Sequence, residues 1–198
     1  AVVSCQDYVG RYYNSYKRLV GEEVDFVLHL GDYVYETTGD EGFQDATEDR
    51  SISFRNPEEA LVIDEGTDNE HLAARSVGNY RDLYRAVRTD EDLQEAHARF
   101  PFVVTWDDHE FSDDCHGAHG VYFEDDALDE DVARRQAANQ AWFEYMPVDY
   151  PGDPAFRYDS GVAFPDDLRI YRDLQFGKHV HLAVTDLRTH RADHLLGR

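Results

Sequence analysis

Two short apolar runs, each ending abruptly in ionisable side chains, constrain this chain more than anything else in it. Phe102-Val103-Val104-Thr105 leads into Trp106-Asp107-Asp108-His109-Glu110. Asp25-Phe26-Val27-Leu28-His29-Leu30 leads into Gly31-Asp32-Tyr33-Val34-Tyr35-Glu36. Both runs have the length and composition of buried strands. Ligands of α/β sheets gather outside the carboxyl ends of the strands. Two strand ends that each present oxygen and nitrogen donors therefore suggest a metal site at the mouth of such a sheet.

The order of elements agrees with this. Residues 1–4 read as a first strand. Residues 10–20 have helical spacing, with Tyr12, Tyr13, Tyr16, Leu19 and Val20 in one stripe. With the strand at 25–30 they form a βαβ unit, which predicts parallel pairing. Residues 37–69, rich in Asp, Glu and Gly, read as a long surface excursion. Helices are expected at 77–87 and 90–99, the second capped by Thr89, and a third strand at 102–106. A second acidic loop, 111–128, carries Asp113, Asp114, His116 and His119. Residues 131–145 read as a helix stopped by Pro147. Residues 169–174 and 179–187 read as a hairpin around Gly177, its second strand mostly buried.

Composition narrows the function. The 198 residues carry 19 basic and 42 acidic side chains, a formal net charge of −23. Such a surface repels nucleic acid and anionic membrane, and favours cations or a saline milieu. No run approaches the roughly 18 apolar residues of a membrane-spanning helix, and no signal peptide is visible. Both ends read as cuts through a larger protein. Cys5 and Cys115 allow one disulfide but do not establish it.

Individual residues carry the chemistry. Gly31 lets the backbone turn off its strand, so Asp32 points into the cleft, where a carboxylate can bridge two cations. Tyr35 reaches the same place. A phenol ionises near pH 10, so only a strongly Lewis-acidic ion such as Fe³⁺ would hold it as phenolate; plain packing is the alternative. Cys5 ends the first strand, as a soft ligand for iron or zinc or as a small buried hydrophobe. Asp107 and Asp108 repel each other and are costly to desolvate, a cost a cation would offset. His109 is a ligand or a general acid, with Glu110 expected to orient it. His116 and His119 are expected in solvent. Arg134 and Arg135 lie on packing stripes of one helix, so at least one turns inward. There it either grips a phosphate through paired hydrogen bonds or pairs with an acidic neighbour.

Ser4-Cys5-Gln6-Asp7-Tyr8, the Gly31–Glu36 and Trp106–Glu110 blocks, Arg134-Arg135 with Glu144-Tyr145-Met146-Pro147, and Asp186-Leu187-Arg188-Thr189-His190-Arg191 follow in this order. Together they resemble the alkaline phosphatase D (PhoD-like) metallophosphatases over nearly the whole chain. The resemblance implies an α/β fold with a calcineurin-like metallophosphoesterase core, its stacked mixed β-sheets flanked by helices. It implies a partial catalytic domain, truncated at the C-terminal side and lacking the family's leading β-sandwich domain. It further implies hydrolysis of small-molecule phosphate monoesters and diesters, Fe³⁺ and Ca²⁺ as cofactors, a secreted or periplasmic location and a monomer. Cys5, Asp32 and Tyr35 would hold the iron, with Asp32 bridging to calcium. Asp108, with Asp107 and Asp114 beside it, would serve the second cation, and Arg135 before Arg134 would grip the phosphate. The family's later Gly-Asp-x-His motif is absent. Two rival readings therefore stand beside the enzyme: a non-catalytic acidic Ca²⁺-binding module, and an inactive fragment.

Overall fold

The computed structural model describes residues 1–44, 50–123, 129–146, 148, 155–166 and 168–192. In chain order the elements are β1 (Val2–Val3), α1 (Asn14–Leu19), β2 (Val27–His29), β3 (Thr37–Thr38), a 3₁₀ turn (Pro57–Glu59), β4 (Leu61–Ile63) and β5 (His71–Ala73). Then come α2 (Val77–Val87), α3 (Glu91–Arg99), β6 (Phe102–Val104), α4 (Val132–Tyr145), β7 (Arg172–Phe176) and β8 (Val180–Val184).

The expected βαβ unit is present. β2 lies between β1 and β6, parallel to both, with Val3 opposite His29 and His29 opposite Val104. Helix α1 begins only at Asn14, so Tyr13 and Tyr16 turn inward while Tyr12, read as part of their stripe, is 62% exposed. Helix α2 starts with a capping box between Ser76 and Asn79. It buries Tyr80, Leu83, Tyr84 and Val87, the spacing of one helical face. Helix α3 is capped by Asp90, whose carboxylate accepts from the Leu93 amide at 2.9 Å, and not by Thr89. The Thr89 hydroxyl instead donates back to the Ala86 carbonyl. Helix α4 is capped by Asp131, and its Trp142 meets Trp106 edge to face in the core. Pro147, expected to stop it, lies outside the described residues, as do residues 124–128 of the acidic loop.

Two larger expectations also need correction. The excursion read at 37–69 contains strands: β3 and β4 within it pair with β5 in an antiparallel sheet of order β3-β5-β4. The polar run between β4 and β5 is the turn of a hairpin, with Asp64 and Gly66 at positive φ. The β7-β8 hairpin forms around Gly177, but β8 is mostly exposed and buries only Val184. The molecule is α/β as expected. Among the described residues its sheets are one parallel, one antiparallel and one hairpin, none of them mixed. No described helix is long and apolar enough to cross a membrane.

Candidate metal centre

The loops after β1, β2 and β6 lie side by side at the carboxyl edge of the parallel sheet. The amides of Cys5 and Gln6 donate to the carbonyls of Gly31 and Asp32, at 3.2 and 2.9 Å. The Thr105 amide donates to the His29 carbonyl at 3.1 Å. Gly31 (φ +114°) is where the chains come closest: a Cβ there would lie 2.2 Å from the Asp107 amide nitrogen. Only glycine permits that approach. Glu110, fully buried, fastens the junction. One carboxylate oxygen accepts from the amides of Asp32 (3.1 Å) and Asp107 (2.8 Å), the other from Tyr33 (2.7 Å). Sequence reasoning gave Glu110 the task of orienting His109; it holds the two strand ends together instead.

At this junction the oxygens of Asp32 and Asp108 and a ring nitrogen of His109 all lie within 4.8 Å of one another. The Tyr35 hydroxyl donates to Asp32 Oδ2 at 3.4 Å, and its ring packs against His109 with centroids 4.2 Å apart. Cys5 is exposed beside the cluster, close enough to Asp32 and Tyr35 for both to act on its pKa. Cys5, Asp32 and Asp114 have positive φ, and such strained backbone clusters at functional sites. Asp107 and Asp114 stand on the far side of Asp108, facing Arg188. That guanidinium lies 2.6 Å from Asp107, 3.3 Å from Asp108 and 3.6 Å from Asp114.

The remaining expected residues lie elsewhere. Both Arg134 and Arg135 are buried, and neither guanidinium reaches the carboxylate cluster. Arg134 donates to the carbonyls of Ala74 and Phe111 and lies over the rings of Phe111 and Tyr122. Arg135 donates to Thr189 Oγ1 (3.3 Å) and Cys115 Sγ (3.6 Å), sandwiched among Trp106, Phe111 and Phe164. Aromatic faces hold both in the core, with carbonyls accepting from Arg134 and a hydroxyl and a sulfur from Arg135. His116 and His119 stack on each other apart from the donor cluster and are not in open solvent. Cys5 and Cys115 are both free thiols, so the possible disulfide is not formed.

A layer of buried polar groups sets the donors in place. Glu36 accepts from His109 Nδ1 (2.7 Å), the Asp113 amide (2.6 Å) and the Tyr122 hydroxyl. It is the orienting partner that sequence reasoning missed, although it closes the Gly31–Glu36 block. Behind Cys5, the Gly31 amide donates to His29 Nδ1, so the neutral imidazole carries its proton on Nε2 and gives it to Gln6 Oε1 at 3.0 Å. Burial keeps His29 neutral, its pKa pushed down to about 3. Gln6 Nε2 in turn donates to the Tyr33 carbonyl at 3.2 Å.

Charge at the junction is unbalanced. Burial, with Asp108 and Asp107 nearby, lifts the Asp32 carboxyl to about 6 despite the opposing pull of His109. Burial works against a charged His109, yet Glu36, Asp108 and Asp32 around it raise its pKa to about 10. Burial and then Asp32 push the Tyr35 phenol well above its usual value, and the same two influences raise the Cys5 thiol. Asp32 Oδ1 is buried and accepts no hydrogen bond. A buried carboxylate oxygen with no donor is costly, and a cation at that oxygen would remove the cost. Two carboxylates and an imidazole, with a thiol and a phenol adjoining, are a donor set suited to a metal.

Residues 1–196 match the model of the PhoD-like phosphatase family. The chain is 32% identical over 193 residues to alkaline phosphatase D of Bacillus subtilis (strain 168), a match that takes in 98% of this chain and 28% of that protein. A solved structure described as "Structure of PhoD" is similar with a TM-score of 0.72 and 30% identity, over 98% of this chain and 32% of that one. The chain thus spans less than a third of the length of either relative.

Proposed function

This chain belongs to the PhoD-like phosphatase family, and on that premise we propose that it forms part of the catalytic domain of a metal-dependent hydrolase of phosphate monoesters and diesters. The observation that carries the reading is the convergence of Asp32, Asp108 and His109 beside a buried Asp32 oxygen that accepts no hydrogen bond. We assign Fe³⁺ to Cys5, Asp32 and Tyr35, and Ca²⁺ to Asp32 and Asp108 with Asp107 and Asp114 beside them. Tyr35 would ligate as phenolate only to a strong Lewis acid, since burial and Asp32 otherwise keep the phenol neutral. Bound cations would supply a water of lowered pKa as the nucleophile and neutralise charge on the phosphoryl oxygens.

The protein's own groups do the rest. Asp32 and Asp108 present carboxylates from strand ends that the Glu110 clamp holds together. His109 is tied through Nδ1 to Glu36 at 2.7 Å, and its Nε2 lies 3.6 Å from Asp113. The carboxylates of Glu36, Asp108 and Asp32 around the imidazole favour its protonated form, and in this reading that proton passes to the leaving oxygen. A calcineurin-like stacking of sheets in the whole protein, its export and a monomeric state belong to the same proposal; the family resemblance supports them.

The test is hydrolysis of p-nitrophenyl phosphate and bis(p-nitrophenyl) phosphate by the whole protein and its Asp32→Ala variant. Turnover should fall by at least about a thousandfold. Unchanged turnover rejects the assignment, and cation binding without hydrolysis in the wild type would favour the non-catalytic module.

A further inference from the structure

We propose that Arg188 is a positioning residue of the metal centre, holding Asp108 and its neighbour Asp107 in the geometry that receives cations, with Arg135 bracing it from the core. The inference rests on the metal-dependent reading above and adds to it a part of the chain that lies far from the strand ends in sequence.

The turn that carries Arg188 is fastened to the end of β6 from both sides. Trp106 Nε1, one residue before the paired aspartates, donates to Asp186 Oδ1 at 3.1 Å. The same Asp186 oxygen accepts from the amides of Arg188 (3.0 Å) and Thr189 (2.9 Å), which shapes the turn. The Gly117 amide donates to the Arg188 carbonyl at 2.9 Å. Arg135 reaches Thr189 from within the core and also touches Cys115, next to Asp114. The Arg188 guanidinium is thus delivered on a braced backbone, and its side chain is only 13% exposed.

Its targets are specific. Nε donates to Asp107 Oδ1 at 2.6 Å, and Nη2 lies 3.3 Å from Asp108 Oδ1. The other oxygen of Asp108 accepts from the Asp114 amide at 2.7 Å. Asp108 therefore meets a donor at each oxygen, which sets its orientation towards Asp32 and His109 before any ion arrives. Ligating carboxylates are commonly hydrogen-bonded in this way, and loss of such a partner costs 10–100-fold in metal affinity. The planar fork of arginine matters, because lysine offers a compact point charge without that fixed donor geometry.

A guanidinium beside a cation site could act in the opposite sense, repelling the ion or competing for its carboxylates. The sign of the effect decides between the two. Calcium titrated by calorimetry into the metal-stripped whole protein should bind Arg188→Gln about 10–100-fold more weakly than wild type, with Arg188→Lys in between. Arg172→Gln is the control. Arg172 fastens the hairpin to β6 through the Val104 carbonyl at 2.7 Å. Its loss should lower the melting temperature while leaving calcium affinity within about twofold. Equal or tighter calcium binding by Arg188→Gln overturns the proposal. So does unchanged calcium affinity with weaker inhibition by inorganic phosphate, which would make Arg188 a substrate contact. If Arg188→Gln does not fold, Arg188→Lys carries the same two outcomes. A wild type that binds no calcium would remove the metal reading itself, a result distinct from failure of the Arg188 assignment alone.

Discussion

At Asp32, burial and the adjoining aspartates hold the carboxyl near 6, above the ordinary value of about 3.9. Between those two values the unfolded chain gives up its proton while the folded chain keeps it. Without a cation, stability therefore falls as pH rises from about 4 to about 6. A cation binds the ionised form, so added calcium should raise the melting temperature of metal-stripped protein more at pH 8 than at pH 5. Equal shifts at both pH values would contradict this. For His109, the acid role predicts that His109→Asn slows esters of poor alkyl leaving groups by about 10²–10⁴, and p-nitrophenyl esters much less. Equal losses for both would make His109 a ligand only. Cys5, Asp32, Tyr35 and Asp108 were legible because a strand end is a position that sequence can reveal. Glu36 and Arg188 were not read for their roles, since their partners lie 73 and at least 74 residues away in the chain. At least one of Arg134 and Arg135 was read as inward, and both are buried. The step from inward to cleft-facing failed, because a guanidinium can be held inside a core by aromatic faces and scattered acceptors.

Among the elements, the junction of β2 and β6 is where the fold and the centre depend on each other most. Gly31→Ala would place a Cβ against the backbone of residues 106 and 107 at a φ that side chains disfavour, costing about 2 kcal/mol or more. Its melting temperature should drop and its metal affinity with it; a variant as stable as wild type would refute the close approach. Glu110→Gln keeps the shape but turns a donor towards backbone amides that need an acceptor, at about 1–3 kcal/mol. The βαβ unit and helices α2 to α4 were readable because periodicity and caps are local. The β3-β5-β4 sheet was not, since its strands are two or three residues long and too short to show alternation. The Leu61-Val62-Ile63 run before a polar turn was the available signal.

Over the whole molecule, a net charge of −23 sets a field that gathers cations and slows anionic substrates, both more strongly at low salt. The KM for a charged phosphodiester should therefore fall several-fold between about 20 and 200 mM NaCl, with kcat little changed; a flat or rising KM would count against steering by this surface. The central claim, that strand ends bring Cys5, Asp32, Tyr35 and Asp108 together to hold metal, is tested most directly by elemental analysis of the purified whole protein with its visible spectrum. The account predicts iron and calcium in stoichiometric amounts and a tyrosinate-to-iron charge-transfer band that Tyr35→Phe abolishes. Protein without iron, or a band that survives loss of Tyr35, would contradict it.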